Sequence, residues 1–169
     1  MTDKYFYLTS SLPYLFFGEK PYFTKNSFLE ECKKWADPED MERLQNLDIN
    51  DFIISKADTE EVRQWKRFDY AFKKELAEVR KNKKTGSQET LAPKYKNIFS
   101  QENPLLIEKA FEKLRWDYLD EVEQGHHFDI DKLQIYYLKL QISERLSSFD
   151  REKGEKVFEQ ACEIESISA

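Results

Sequence analysis

The only two histidines of the chain, His126 and His127, lie side by side in the stretch "EVEQGHHFDIDKL" at residues 121–133. Imidazole and carboxylate groups are the side chains that most often bind divalent metals or transfer protons. Four carboxylates frame the pair, those of Glu121, Glu123, Asp129 and Asp131. This stretch is therefore the candidate metal or acid–base centre of the sequence.

The spacing in this stretch favours a structural joint over a metal site. Zinc needs three or four ligands, and helical ligand pairs are spaced i, i+3 or i, i+4. Adjacent histidines point in different directions, and no cysteine or third histidine lies nearby. A glycine often ends a helix, and an aspartate often caps the next one. We therefore expect a joint between two helices with one imidazole hydrogen-bonded into it and no metal, formed by Gly125, His126, His127 and Asp129.

Other catalytic motifs are absent from the sequence. It contains no GxSxG elbow, its four glycines are isolated, and no phosphate-binding loop occurs. Cys32 and Cys162 have no CxxC partner, so we expect two buried thiols in a reducing compartment. We accordingly predict no catalytic residue, no cofactor and no enzymatic activity. A small metalloenzyme centred on the two histidines is the alternative.

The composition predicts an all-α protein. Charged residues make up 36% and aromatic residues 15% of the 169 residues, with only four glycines and five prolines, whereas sheets need more turn and β-branched residues. The net charge of −6 is unfavourable for binding nucleic acid. No apolar run approaches the about 20 residues of a membrane helix. We expect a cytoplasmic protein without a membrane span.

Two long helices follow from apolar periodicity. Residues 130–147 are apolar on two opposite sides, which is typical of an interior helix, so this helix is predicted to lie at the centre. The other helix, over residues 59–84, has one apolar stripe, formed by Trp65, Phe68, Phe72, Leu76 and Val79.

Further helices, including one predicted from Pro104 to the stop at Gly125, complete a predicted bundle of about six helices in one domain, 1–169. An N-terminal half, 1–84, and a C-terminal half, 102–164, are predicted to be joined by a mobile loop, 85–101. The run "KNKKTGSQET" at residues 81–90, which leads into this loop, has no apolar periodicity and contains Gly86. The last helix of the C-terminal half is expected to begin at Asp150.

The first 38 residues predict three of the shorter elements. Residues 5–12 have the spacing of a short helix, with a strand over residues 5–8 as the alternative. Asp37 is predicted to cap the helix that begins at Pro38. The helix before it is predicted to bury one face, formed by Phe28, Leu29, Cys32 and Trp35.

The helix over residues 59–84 also concentrates positive charge. Nine basic and three acidic residues lie between positions 63 and 84, giving +6 within a protein of net charge −6. This face is either a solvated surface or a docking face for an acidic protein surface. The predicted partner-binding residues, which point away from the apolar stripe, are Arg63, Lys66, Lys73, Lys74, Lys81 and Lys84.

Aromatic residues are concentrated at the N-terminus, where eight occur within the first 23 positions. We expect them to pack onto the helical bundle. The alternative is an exposed patch that inserts into a partner.

Three stretches together resemble an uncharacterised bacterial family that is encoded among the components of V-type ATPases. They are "YFYLTSSLPYLFF" at residues 5–17, "WKRFDYAFKKELAEVRKNK" at residues 65–83, and "RWDYLDEVEQGHHFDIDKLQIYYLKLQISERLSSFDREKGEKVF" at residues 115–158. That family is similar to the C subunit of V-type ATPases, which is named d in eukaryotes. The resemblance assigns no catalytic residue.

The resemblance implies an all-helical, non-catalytic component that couples the central shaft of the ATPase to the membrane rotor ring. Its implied partners are the rotor ring and the central shaft, and its implied location is cytoplasmic, peripheral to the inner membrane. The chain has about half the length of a typical C subunit. A free-standing adaptor or assembly factor for the ATPase or another complex is therefore the second hypothesis.

Overall fold

A computed structural model describes residues 4–85, 98, 101 and 103–149. These residues contain no strand, so the helix expected over residues 5–12 is confirmed and the alternative strand is wrong. The predicted helix from Asp150 and the thiol of Cys162 lie outside the described residues. Six helices have described bounds, which confirms an all-α bundle: α1 (Phe6–Ser11), α2 (Lys25–Cys32), α3 (Pro38–Gln45), α4 (Glu60–Thr85), α5 (Pro104–Val122) and α6 (Ile130–Ser147).

Helix α6 is the central helix that the two apolar stripes predicted. It contacts α2, α3, α4 and α5, and every residue from Leu133 to Ser143 is buried. Asp129 caps its first turn by accepting a hydrogen bond from the Lys132 backbone N–H at 2.9 Å. Phe28 of α2 stacks against Tyr136 and Tyr137, with ring centroids 5.4 and 5.2 Å away.

Helix α4 buries the predicted stripe against α5 and α6. Trp65, Phe72 and Leu76 are buried, and Phe68 stacks on Tyr118 of α5 with ring centroids 3.9 Å apart. The helix begins after Thr59, whose hydroxyl accepts a hydrogen bond from the Val62 backbone N–H at 3.4 Å. The sequence pattern therefore placed this helix and its buried side correctly.

A buried group of charges joins α4 to α5, and apolar periodicity did not predict it. We call Asp69, Glu112 and Arg115 the Arg115 cluster, because Arg115 bridges the two acids. Its Nε lies 2.9 Å from Asp69 Oδ1 as an ion pair, and its Nη1 donates to both Glu112 oxygens at 3.1 Å. Nη2 donates to the Ile49 carbonyl at 2.8 Å. All three members are at most 2% exposed, so the pairing replaces their lost hydration.

Two predictions near α2 and α3 need correction. Helix α2 ends at Cys32, so Trp35 leaves the predicted buried face and is 51% exposed. Asp37 precedes α3 but makes no side-chain hydrogen bond to it, because its carboxylate pairs with Lys4 of the N-terminal segment. Cys32 is buried as predicted, and burial raises the pKa of its thiol to about 12.

The predicted loop 85–101 lies mostly outside the described residues. Thr85 is the last residue of α4. Ile98 is buried against a small apolar cluster that includes Phe72 and Phe111. Within the described part of the chain, no helix has the length and apolar character needed to cross a membrane.

Candidate functional site

Lys66 is not part of the exposed basic face predicted for α4, because it is only 3% exposed. Its ammonium group lies 3.0 Å from both Asp51 and Asp58 and donates to the Ile53 carbonyl at 2.7 Å. The segment before α4 folds back over this side chain and supplies all three oxygens. Lys66 is therefore an internal cation, and its prediction as an exposed docking residue is wrong.

The other predicted basic residues differ in exposure. Lys74 and Lys81 are exposed, whereas Arg63 and Lys73 are half-buried. Arg63 lies 3.6 Å from Glu60, and Lys73 lies 2.8 Å from the buried carboxylate of Asp69. Lys84 belongs to α4, but its side chain lies outside the described part. The exposed positive charge on this face is therefore smaller than the sequence predicted.

Apolar side chains adjoin the basic residues of α4. Phe52 and Tyr70 are 47% and 58% exposed, and their rings lie 6.3 Å apart. The Lys73 ammonium lies 5.0 Å from the Phe52 ring centroid, a distance suited to a cation–π contact. We call this surface the α4 patch, and it consists of Phe52, Ile53, Tyr70, Lys73 and Lys74.

The N-terminal aromatic residues are mostly exposed, which corrects the expectation that they pack onto the bundle. Tyr5 is buried and Phe17 and Phe23 are half-buried. The exposed residues are Phe6, Tyr7, Tyr14, Phe16 and Tyr22.

Three exposed rings form one continuous surface, which we call the N-terminal patch: Phe6, Tyr7 and Trp35. Tyr7 stacks on Trp35 at 6.3 Å, and Phe6 lies 5.6 Å from Tyr7. Phe6 also contacts Phe128 at 4.7 Å, next to the two histidines. The patch thus adjoins the joint between α5 and α6.

The joint has the backbone that the sequence predicted. Helix α5 ends at Val122, and Gly125 has φ +91°, the left-handed conformation in which glycine is favoured. The chain turns there, and the His126 backbone N–H donates to the Glu123 carbonyl at 3.1 Å. The expected hydrogen bond of one imidazole is also present, because His126 Nδ1 lies 2.7 Å from Asp129 Oδ2.

The two histidines have separate environments. His127 is exposed and its ring lies 6.2 Å from that of Phe128. The His126 side chain is only 15% exposed, and its Nε2 lies 3.5 Å from Glu61 of α4. Asp131 approaches from α6, with Oδ2 3.8 Å from His126 Nδ1. We call these four side chains the His126 cluster: Glu61, His126, Asp129 and Asp131.

Sequence reasoning missed Glu61, because it lies 65 positions before the imidazole and reaches it only through the packing of α4 against the joint. Glu61 looks like any acidic residue in the first turn of a helix, where such residues favour the helix dipole. No local signal distinguishes it. Asp131 lies close to the histidines in sequence, but only the fold shows that its carboxylate faces the imidazole.

The crowding of carboxylates changes the protonation of the cluster. Burial raises the pKa of Asp131 to about 6, and the neighbouring Glu61 and Asp129 act in the same direction against a hydrogen bond from Thr59. Burial lowers the pKa of His126, but its hydrogen bond to Asp129 and the charges of Asp131 and Glu61 outweigh burial and raise the pKa above its ordinary value. Both shifts favour protonation, because three carboxylates face a single imidazole.

Comparisons with known proteins give one match. A family model with the description "Protein of unknown function (DUF2764)" matches residues 89–165, slightly less than half of the chain. That region includes α5, the joint and α6. No curated protein matches the chain. No solved structure matches it either.

Proposed function

We propose that this protein is a non-catalytic component of a bacterial V-type ATPase, similar to its C subunit, which couples the central shaft to the membrane rotor ring. The N-terminal patch and the α4 patch are its contact surfaces for the rest of the complex. The identity of the complex rests on the three stretches that resemble the family encoded among V-type ATPase components.

The observation that supports a docking role is the exposure of the N-terminal aromatic rings. Tyr7 and Trp35 are 74% and 51% exposed although they stack on each other. Exposed rings in a continuous patch are a typical feature of protein–protein interfaces, because a partner removes their apolar surface from water. The exposed area of these rings does not contribute to the stability of the fold, because it stays in contact with water.

The α4 patch supplies a second surface with a different chemistry. Lys74 is exposed beside Tyr70, which lies one helical turn earlier on the same side of α4. Apolar rings beside lysines suit a partner surface that is partly apolar and acidic. Charge pairing at the rim of such an interface speeds association and weakens as salt rises.

Co-purification from a strain that expresses the tagged protein from its own locus tests the proposal. Membranes are solubilised in a mild detergent, the tag is captured, and the recovered proteins are quantified by mass spectrometry. We expect the rotor ring and shaft proteins in stoichiometric amounts. Recovery of intact ATPase with only a small fraction of the tagged protein would favour the adaptor or assembly factor. If no ATPase component were recovered, the protein would be neither a subunit of the ATPase nor its adaptor or assembly factor.

Variants separate the two surfaces. Tyr7→Ser and Lys74→Glu should each lower the amount of ATPase components that is captured with the tagged protein. For Lys74→Glu, lowering the salt concentration should not restore this amount. Lys109→Glu on α5 is the matched control, because Lys109 is also an exposed lysine on a helix. Equal losses for Lys74→Glu and Lys109→Glu would exclude the α4 patch as the contact.

A further inference from the structure

The His126 cluster lacks the permanent cation that two other groups of buried or half-buried carboxylates possess. Asp51 and Asp58 have Lys66, and Asp69 and Glu112 have Arg115. Within residues 4–85 and 103–149, no lysine or arginine forms an ion pair with Glu61, Asp129 or Asp131. Three carboxylates therefore share one imidazole at the contact of α4, the joint and α6.

One oxygen of the cluster also lacks a hydrogen-bonding partner. Asp131 Oδ1 is buried, and no donor reaches it among the described residues. A buried carboxylate oxygen without a donor or cation is costly, because it has lost its hydration. The cluster is thus incomplete in a specific way: in the described part of the chain Asp131 has no lysine or arginine beside it, and the nearest group that can carry positive charge is His126, whose Nδ1 lies 3.8 Å from the other Asp131 oxygen.

Three side chains of the His126 cluster have potential metal ligands close together. One atom each from Glu61, His126 and Asp131 lie within 4.8 Å of one another. Zinc bonds to nitrogen and oxygen are about 2.0–2.2 Å long, so tetrahedral ligands lie about 3.3–3.6 Å apart. The distance of 3.5 Å between Glu61 Oε1 and His126 Nε2 meets this requirement. The 4.8 Å limit exceeds the tetrahedral ligand spacing by about 1.2–1.5 Å, a difference that rotation of the Asp131 side chain can remove.

Asp129 has the position of a residue that orients a metal-binding histidine. Its Oδ2 lies 2.7 Å from His126 Nδ1. A proton on Nδ1 would donate to this carboxylate, and loss of the proton from Nε2 would leave that nitrogen free to bind a metal on the side of Glu61. Metal-bound histidines commonly make this second hydrogen bond to a carboxylate, which fixes the tautomer and makes the ligand nitrogen more basic. Asp129 also accepts from the Lys132 backbone N–H at 2.9 Å, so its own position is fixed by the start of α6.

We propose that Glu61, His126 and Asp131 bind one divalent transition-metal ion, with Asp129 as the positioning residue for the imidazole. An imidazole with two carboxylates suits zinc or manganese better than calcium or magnesium, which prefer oxygen ligands alone. The ion ties α4 to the joint between α5 and α6. This inference is independent of the ATPase assignment, since it requires only the isolated chain.

Histidine NMR of the metal-free protein tests the site without any substitution in it. The chain has only two histidines, so its imidazole spectrum contains two sets of resonances, and His127→Gln assigns them. Addition of zinc chloride to the EDTA-treated, dialysed protein should shift the His126 resonances until one equivalent is reached and leave those of His127 in place. Equal shifts of both histidines, or no shift of His126, would overturn the proposal.

Calorimetric titration with zinc chloride then tests the individual ligands. We expect the wild-type protein to bind one ion per chain. Three ligand variants should bind zinc at least about tenfold more weakly: His126→Gln, Glu61→Gln and Asp131→Asn. Asp129→Asn should lower the affinity for zinc by about tenfold. His127→Gln is the matched control and should retain wild-type affinity.

Circular dichroism and the thermal midpoint of each metal-free variant establish that it is folded before titration. A folded His126→Gln protein that binds zinc as tightly as His127→Gln would contradict the assignment. Manganese gives a second readout on the wild-type chain, because a paramagnetic ion at this site should broaden the His126 resonances more than those of His127.

Discussion

The Arg115 cluster and the His126 cluster both gather acidic side chains where helices meet, but the cations that balance them differ. Arg115 stays charged under all physiological conditions and contacts Asp69, Glu112 and a backbone carbonyl. His126 faces three carboxylates and carries at most one positive charge. Lys73 also pairs with Asp69 and Arg145 with Glu112, so permanent cations balance the acids of the first cluster. The second cluster has an excess of negative charge.

The difference indicates different roles. A buried, permanently charged arginine with several acceptors holds helices in one arrangement, and removing it leaves charges without compensation. A histidine among carboxylates, partly accessible to solvent, can exchange a proton or accept a metal without changes elsewhere in the core. We therefore assign the Arg115 cluster to the stability of the α4–α5 contact and the His126 cluster to ligand binding.

Substitution of Arg115 should have the largest effect. Arg115→Met leaves Asp69 and Glu112 buried without their shared cation, and we expect the free energy of unfolding to fall by about 3–5 kcal/mol. Urea unfolding of the EDTA-treated protein measures the change. By contrast, His126→Asn should cost about 1 kcal/mol in the absence of metal, because a partly accessible hydrogen bond is lost.

Arg145 is the matched control for this comparison. It lies 3.4 Å from the same Glu112 carboxylate, but its side chain is 40% exposed. Arg145→Met should therefore cost about 1 kcal/mol or less, as exposed ion pairs contribute little. If Arg145→Met and Arg115→Met destabilised the protein equally, burial would not explain the importance of the Arg115 cluster.

Helices with strong apolar periodicity could be predicted from the sequence. In α4 the stripe through Trp65, Phe72 and Leu76 is buried as expected, and α6 is interior because both of its sides are apolar. These patterns are local, since a side chain's position on a helix depends only on residues a few positions away. The same reasoning placed the left-handed glycine of the joint, Gly125, and the cap at Asp129.

Charged residues could not be placed in the same way. Lys66 points away from the apolar stripe of its helix, yet residues 51–58 fold over it and provide its acceptors. Glu61 reaches His126 only through the packing of α4 against the joint. Whether a charge is solvated or buried depends on a partner from a distant segment, and one sequence contains no local signal of that partner.

The backbone of the joint offers a comparison with a second glycine. Gly125 and Gly18 have φ +91° and +81°, and a Cβ atom at either position would meet nothing within 4 Å. Alanine should therefore cost only the strain of the left-handed conformation, about 1–2 kcal/mol at each position. Urea unfolding should give similar losses for Gly125→Ala and Gly18→Ala. Only Gly125→Ala should also shift the His126 resonances, because it alters the turn that presents the imidazole; shifts of equal size in both variants would contradict this role.

Glu123 should show a small effect that depends on pH. It lies three positions before His126 but, unlike the carboxylates of the His126 cluster, pairs with lysines. Burial raises the pKa of Glu123, but hydrogen bonds from Lys132 and Lys139 outweigh burial, so the pKa lies below its ordinary value. A carboxylate whose pKa is lower in the folded than in the unfolded protein stabilises the fold at pH values above its unfolded pKa. This stabilisation disappears as the pH falls below its folded pKa.

Glu123→Gln should therefore lower the free energy of unfolding by about 1 kcal/mol near neutral pH. Its difference from wild type should shrink on acidification below about pH 5. Urea unfolding in EDTA across this range measures the trend. Glu121→Gln, at an exposed position two residues earlier, is the control and should follow the wild-type pH dependence. If the difference between Glu123→Gln and wild type stayed constant on acidification, the lysines would stabilise the charged and the neutral form of Glu123 equally. Glu123 would then not be a carboxylate balanced by a permanent cation.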